Sequence, residues 1–544
     1  MRILLPVFSI FIIAVALCSA QVAHQPTLLQ PEQFKHYIDT FNADDDETVK
    51  QFYPNEAAWD FLSKNMPLLD YPDKEIERTY YFRWWTFRKH IKQTPDGFIV
   101  TEFHPNVGWA RKHNSISCAA GHHFREGRWL RDSGFLNDYA VFWLRKGGSL
   151  RQYSFWIADS ILQQAAVTGD DSLAKELLPD LVKNFEAWEK EHLDPNGLFW
   201  QDDGYDGMEM SVSTALLNTT AHYRATINSY MFAEANAISQ IAKRTGNTEL
   251  AERFSKEAER IRKLLHEKLW DTDAKFYKVA PRVKNPNDAI TLVDVREQHG
   301  YTPWYFSELN PPKEYTAAWK QLLDPKGFYA PFGPTTAEQR HPRYQIAYEG
   351  HECLWDGPSW PFSTSITLTG LANLITRDAS EGKDVAELKT AYLKTLDIYA
   401  KSHHREREDG KTVSWIDENL NPDTGDWIAR TRLKTWKNGT WDKDKGGVER
   451  GKDYNHSTFC DLIINGLIGF RPSPDNCFTV YPLVPADTDY FALDGIRYHG
   501  ETLTILYDKT GERYHRGKGF RVYADGVEKY HSETLPVQPV SIHF

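Results

Sequence analysis

The sequence predicts a mainly helical protein, a ring of helical hairpins followed by a small β module. Three observations carry that reading. Apolar residues recur on a 3.6-residue period in successive long segments, often in pairs. Long loops rich in Gly, Pro and Trp separate the pairs, over 271–302, 327–359 and 402–455, and loops of such length in a compact domain are usually functional. Around Pro472 the pattern changes to short β-branched or aromatic runs divided by Asp-Gly, His-Gly and Lys-Thr-Gly turns. No short repeat of fixed period is visible, so a solenoid is not supported.

Taken in order, residues 1–20 read as a secretory signal: Arg2, an apolar stretch over 3–17, and Cys18-Ser19-Ala20 before a cleavage point at Gln21. This implies a secreted or periplasmic chain with no membrane span in its mature form. A lipoprotein signal on Cys18 is disfavoured by bulky Leu17. Residues 21–48, ending in Asp44-Asp45-Asp46-Glu47, read as a polar arm, 49–470 as the helical catalytic domain and 471–544 as a β-sandwich-like module. Helices are expected over 151–168, closed by Gly169; on either side of a break at Pro179; over 224–243 and 249–270; and over 312–323, 359–376, 384–401 and 457–468.

Composition narrows the function. Of 544 residues, 41 % are apolar and 14 % aromatic, with 18 Trp and 27 Tyr. Such aromatic wealth suits sugar rings as well as a large core. The net charge of −11, with no basic stripe, argues against nucleic acid as a partner. Cys118, Cys353, Cys460 and Cys477 have no metal-ligand spacing, and a Cys460–Cys477 bridge is conceivable. The pairs His122-His123 and His403-His404 diverge, so neither metal nor cofactor is expected. Asn218, Asn438 and Asn455 match the glycosylation acceptor pattern.

Two acidic loops could carry chemistry. Gln201 to Ser213 places Asp202, Asp203, Asp206 and Glu209 beside Phe199 and Trp200; the second runs Trp415-Ile416-Asp417-Glu418-Asn419-Leu420-Asn421-Pro422-Asp423-Thr424-Gly425. Two carboxyl groups on separate loops suit glycoside hydrolysis, one protonating the leaving oxygen and the other activating water or attacking the anomeric carbon.

The order of motifs resembles the inverting glycoside hydrolases of family 63 and their mannosylglycerate-hydrolase-like relatives. The matching segments are Gly207-Met208-Glu209-Met210-Ser211, Arg224-Ala-Thr-Ile-Asn-Ser-Tyr, Gly300-Tyr301-Thr302-Pro303, Gly333-Pro334-Thr335-Thr336, Trp355-Asp356-Gly357-Pro358-Ser359-Trp360-Pro361, and Glu418 to Gly425. The resemblance covers roughly residues 125 to 470. It implies an (α/α)6 toroid, Glu209 as general acid and Glu418 as general base. It also implies sugar contacts from Trp355, Asp356 and Trp360, and from Trp129 and Asp132, with Arg131 and Asp206 beside them. Glu209 stands where the family has Asp, Met210 where it has Asn, and Asp356 where an Arg is expected; an Asp there should favour hydroxyls over a carboxylate. Tyr454-Asn455-His456-Ser457 occupies the place of a Trp, making Tyr454 and His456 further sugar-contact candidates in a distinct subgroup.

The expected function is a secreted, exo-acting, inverting glycosidase that takes an oligo- or polysaccharide, with an α-glucosidase- or α-mannosidase-like specificity. Two rivals stay open: a polysaccharide lyase using Tyr454, Asn455 and His456, and a carbohydrate-binding protein whose site is silent.

Overall fold

The computed structural model describes residues 28–283, 285, 287–435 and 446–544. The expected leader over 1–20 and the acceptor Asn438 lie outside them. Among the described residues the helical segments close into a ring of hairpins, each made of an inner and an outer segment.

Five pairs follow in chain order: Ala120–Gly127 with Gly134–Arg145, Ile157–Thr168 with Ser172–His192, Ala225–Arg244 with Thr248–Leu269, Gln298–Tyr301 and Thr302–Tyr305 with Lys313–Gln321, and Pro361–Ser380 with Ala386–Lys401. The sixth inner segment, Leu462–Leu467, is backed by the N-terminal helix Lys74–His90, which packs against Ala386–Lys401. The inner segments pack in sequence, and the circle closes where Glu126 caps the last of them. Its carboxylate accepts from the backbone N–H groups of Phe459, Cys460 and Asp461 at 3.0, 2.8 and 2.8 Å. The fold is thus a six-hairpin helical toroid with a small C-terminal β module.

The helices end where the sequence placed them in most cases. Gly169, left-handed at φ 73°, closes Ile157–Thr168. Four expectations need correction. Pro179 does not break its helix, because Ser172–His192 runs through it. The 312–323 segment is a 3-10 helix, Lys313–Gln321, and the last inner segment winds as a π-helix. Residues 28–48 are no free arm: Lys35–Ala43 forms a helix whose Ile38 and Phe41, three apart on one face, bury against the Lys74–His90 helix.

The β module holds a five-stranded antiparallel sheet in the order Leu68–Asp70, Tyr490–Tyr498, Glu501–Asp508, Gly519–Ala524, Val527–Ser532. Its first strand comes from the N-terminal region, which ties the module to the toroid. A three-stranded sheet, Phe470–Pro472, Cys477–Val480 and Val540–His543, meets it where Phe470 and Phe478 pack edge-on against Tyr498 at 5.2 and 5.5 Å. Cys460 and Cys477 are both free, so the conceivable bridge is not formed. Asn455 is buried and donates to Thr101 O at 3.2 Å, which removes it as a glycan acceptor. No helix of the described residues is long and apolar enough to cross a membrane.

Candidate active site

The toroid presents the N-terminal ends of its inner helices to one side, and the chain ahead of five of the six ends supplies the cavity wall. Cys118 precedes Ala120–Gly127, Tyr153 precedes Ile157–Thr168, Glu209 precedes Ala225–Arg244, Trp360 caps Pro361–Ser380, and Tyr454 and His456 precede the last segment. All of them line one cavity of about 250 Å³, together with Glu102, Trp109, Glu352, Cys353, Glu418 and Arg450. Helix N-termini carry partial positive charge, which suits a pocket rich in carboxylates.

The loop bearing Glu209 is fixed from beneath. Asp203 accepts from His222 Nδ1 and from Arg224 Nη2, both at 2.6 Å, and from the Thr214 hydroxyl. Arg224 also donates to Ser211 Oγ at 3.0 Å, and Ser211 Oγ caps Val212–Leu217. Gly207 needs its glycine: φ is 77°, and a Cβ would lie 2.8 Å from Cys118 Sγ. Met210 is left-handed at φ 59°, and the turn between the two leaves Glu209 at the cavity wall. Burial pushes the Glu209 carboxyl up to about 8, and the charges of Glu418, Glu102 and Glu352 add to that.

Glu418 sits in a second loop, held by a hydrogen-bonded layer built from the segments singled out in the sequence. Ser359 and Leu420 exchange two backbone bonds of 3.0 Å, Gly357 N donates to Thr336 Oγ1 at 3.1 Å, and Phe332 N donates to Pro422 O at 2.9 Å. Glu418 Oε1 accepts from Arg450 Nε at 2.7 Å, and Arg450 Nη1 reaches Glu352 at 3.2 Å. Cys353 Sγ lies 3.5 Å from Glu418 Oε2. Burial, with Glu418 adjacent, pushes the Asp417 carboxyl up to about 8.

On the facing wall Tyr454 donates to Glu102 at 2.6 Å, with His456 Nδ1 3.2 Å from the same carboxylate and in contact with the Tyr454 hydroxyl. Burial raises the Glu102 carboxyl, but His456 and Tyr454 outweigh it and hold it below its ordinary range. Trp360 lines the cavity with Trp355 stacked on it at 4.3 Å and 13°.

The remaining candidates lie elsewhere. Trp129 is buried at the closure of the ring, donating to Asp461 Oδ1 at 2.8 Å and packing on Phe470 at 5.7 Å. Arg131 donates to Gly495 O and Lys64 O, both at 3.1 Å, and so joins the toroid to the β module. Asp132 caps Gly134 N at 2.9 Å. None of these three lines the cavity; an Arg- and Trp-rich stretch read as a sugar site is interdomain packing. Asp206 is buried beneath the acid loop against Thr226, Trp355 backs Trp360, and Asp356 accepts from Gln345 at 2.5 Å, so each supports the wall rather than lining it. Sequence reasoning missed Glu102, Glu352 and Arg450. Of these only Glu352 carried a signal, three residues before Trp355 in a segment already singled out.

With this geometry in place, comparison with known proteins is informative. The profile of the mannosylglycerate hydrolase MGH1-like glycoside hydrolase domain matches residues 112–457. The chain belongs to that glycoside hydrolase family. Among solved structures, one described as a sialidase is 37 % identical with a TM-score of 0.83, over 95 % of this chain and 45 % of the other. This chain therefore spans less than half of that protein's length. A GH78 family rhamnosidase of Bacillus sp. GL1 shares the fold at 12 % identity and a TM-score of 0.54, over 84 % of this chain and 42 % of that one. A GH63 mannosylglycerate hydrolase from Thermus thermophilus aligns at 13 % identity and a TM-score of 0.47, over 64 % of this chain and 98 % of its own.

Proposed function

We propose that this chain is an exo-acting, inverting glycoside hydrolase that removes a terminal uncharged sugar from an oligo- or polysaccharide. The observation that carries the reading is the meeting of Glu209 and Glu418, from separate loops, in one small cavity of about 250 Å³. That volume lies just below the usual range for ligand pockets and suits a single sugar ring. Glu209, with a carboxyl near 8, keeps its proton at neutral pH and protonates the glycosidic oxygen. Glu418, ion-paired with Arg450, takes a proton from the attacking water. Trp360 offers an aromatic face to the ring.

The sialidase description of the 37 % identical structure is not carried over. Glu102, Glu352 and Glu418 share the cavity wall, and its Arg450 already bridges two of them, so a sugar carboxylate would meet repulsion. An α-glucosidase- or α-mannosidase-like specificity rests on the family resemblance, and export rests on the N-terminal signal pattern. The testing experiment is proton NMR of the first-formed sugar from a panel of α-glucosyl and α-mannosyl substrates. Inverted configuration is expected; a retained anomer would make Glu418 a nucleophile.

A further inference from the structure

A second cavity, of about 660 Å³, opens at the other end of the ring, under the β module. Its wall comes mainly from the later turns of the inner helices: Arg125 of Ala120–Gly127, Gln163 of Ile157–Thr168, Asn236 and Gln240 of Ala225–Arg244, and Arg377 of Pro361–Ser380. Arg471, Pro472 and Thr479 of the β module roof it. A layer of packed rings separates it from the catalytic cavity. Tyr305 in its wall meets Trp156 at 5.6 Å, Trp156 meets His122 at 5.7 Å, and His122 meets His456, which lines the catalytic cavity, at 6.0 Å.

Its charges do not balance. Asp461 accepts from Arg125 Nε at 2.9 Å and from Arg128 Nη2 at 2.7 Å, so one carboxylate serves two guanidiniums. Asp159 is a second carboxylate acting on that pair, and burial pushes it up to about 6. Arg471 is a third guanidinium. Its Nη1 donates to Asn373 Oδ1 at 2.7 Å, its Nε and Nη2 have no partner, and no carboxylate pairs with it among the described residues. Burial and the neighbouring charge of Arg125 push Arg471 down to about 10. The other lining cations are paired, Arg262 with Glu259 and Arg377 with Asp378, and the remaining lining carboxylate, Glu308, is exposed. A cation drawn out of water without a counter-charge is destabilising. This one is half-buried at a cavity with room for a counter-ion.

The open groups indicate what that ion carries. Arg125 spends only Nε on Asp461, and its two terminal nitrogens form a fork matched to the oxygens of a carboxylate or phosphate. The side-chain amides of Asn236 and Gln240, one turn apart and half-buried, have no partner among the described residues. Amides both give and accept hydrogen bonds, as hydroxyl groups require. We propose that this cavity binds a small polyhydroxylated anion, a sugar acid or a sugar phosphate, with its oxyanion between Arg125 and Arg471 and its hydroxyls on Asn236 and Gln240.

The test is isothermal titration calorimetry of the full chain with D-glucuronate, D-glucose 6-phosphate, inorganic phosphate and D-glucose, in wild type, Arg471→Met and Gln240→Ala. Saturable binding of glucuronate or glucose 6-phosphate is expected, with glucose much weaker. Glucuronate alone identifies a sugar acid, glucose 6-phosphate alone a sugar phosphate, and both bound alike a site that reads the oxyanion itself. Arg471→Met should weaken binding about ten- to a hundredfold, the scale of a lost charge-assisted contact, and Gln240→Ala about fivefold. Neither residue lines the catalytic cavity, so turnover should be unchanged in both variants. Gln240→Ala reads the site even where Arg471→Met does not fold. Absence of binding by both sugar anions, glucose bound as tightly as they are, or an affinity that neither variant lowers overturns the proposal.

Discussion

Replacing Glu209 by Gln isolates the acid without changing the shape of the side chain. With a carboxyl near 8, about 90 % of Glu209 is protonated at pH 7; at its ordinary value of 4.5 the protonated share would be about 0.3 %. Its surroundings thus multiply the usable acid by about 300. The expected profile of kcat/KM against pH has an alkaline limb near 8, below which the acid is loaded. Glu209→Gln should lose that limb and about two to four decades of rate on substrates with alkyl or sugar leaving groups. Aryl leaving groups need little protonation and should lose much less. Stability gives an independent readout. The folded value lies above the unfolded one, so Glu209 favours the fold fully below about 4.5, and that contribution is lost as pH rises through about 8. The ceiling is about 4–5 kcal/mol, at 1.36 kcal/mol per unit over about 3.5 units. Denaturant melts between pH 5 and 8.5 should show wild type losing stability relative to Glu209→Gln as pH rises. An alkaline limb that persists in Glu209→Gln would refute the assignment, as would parallel stability curves.

Three further outcomes are expected. Arg450→Met leaves the buried carboxylates of Glu418 and Glu352 without their shared counter-charge, which should cost about 3–5 kcal/mol in urea denaturation along with most of the turnover; an unchanged midpoint would show that the ion pair is dispensable. Trp360→Ala would remove a core-sized ring at about 3–5 kcal/mol, so Trp360→Phe is the better probe. It should keep a cooperative melt while lowering kcat/KM about tenfold, and full activity would remove Trp360 from the sugar site. Glu418→Ala should abolish turnover of oligosaccharide substrates, which release of reducing sugar would measure, and turnover near the wild-type rate would remove Glu418 from the chemistry.

The toroid was legible because its helices announce themselves by period and by punctuation, as Gly169 does at φ 73°. The N-terminal helix was not, because Lys35, His36, Asp39, Thr40 and Asn42 surround its two buried side chains, Ile38 and Phe41, and the stretch reads as solvated chain. Pro179 misled for a similar reason. Proline forfeits one hydrogen bond and strains the preceding turn, yet Leu177, Leu178, Leu181 and Phe185 bury on one side and hold the helix through it. At the site, Glu209, Glu418, Trp360, Tyr454 and His456 line the cavity and were all named from sequence. Glu102 and Arg450 were not, since Glu102 is a lone carboxylate in a loop and Arg450 is one charge in a run with Glu449, Lys452 and Asp453. Only the closing of the ring brings Glu102 within 2.6 Å of Tyr454, or Arg450 within 2.7 Å of Glu418.

Those two residues explain how identical side chains can take different parts. Glu209 and Glu418 differ in nothing but surroundings. The largest influences on the Glu209 carboxyl are burial and three like charges that push it up, with a backbone hydrogen bond opposing them. Glu418 has a guanidinium at 2.7 Å. Opposed environments of this kind are what separate an acid from a base in a carboxyl pair. The consequence is directional. A cation placed near Glu209 would erase the distinction, so Cys118→Lys, whose side chain would start beside Gly207 in the acid loop, should pull the alkaline limb down from about 8 and narrow the active range from that side. An alkaline limb that stays near 8 in a folded Cys118→Lys protein would mean that something other than the Glu209 proton sets it.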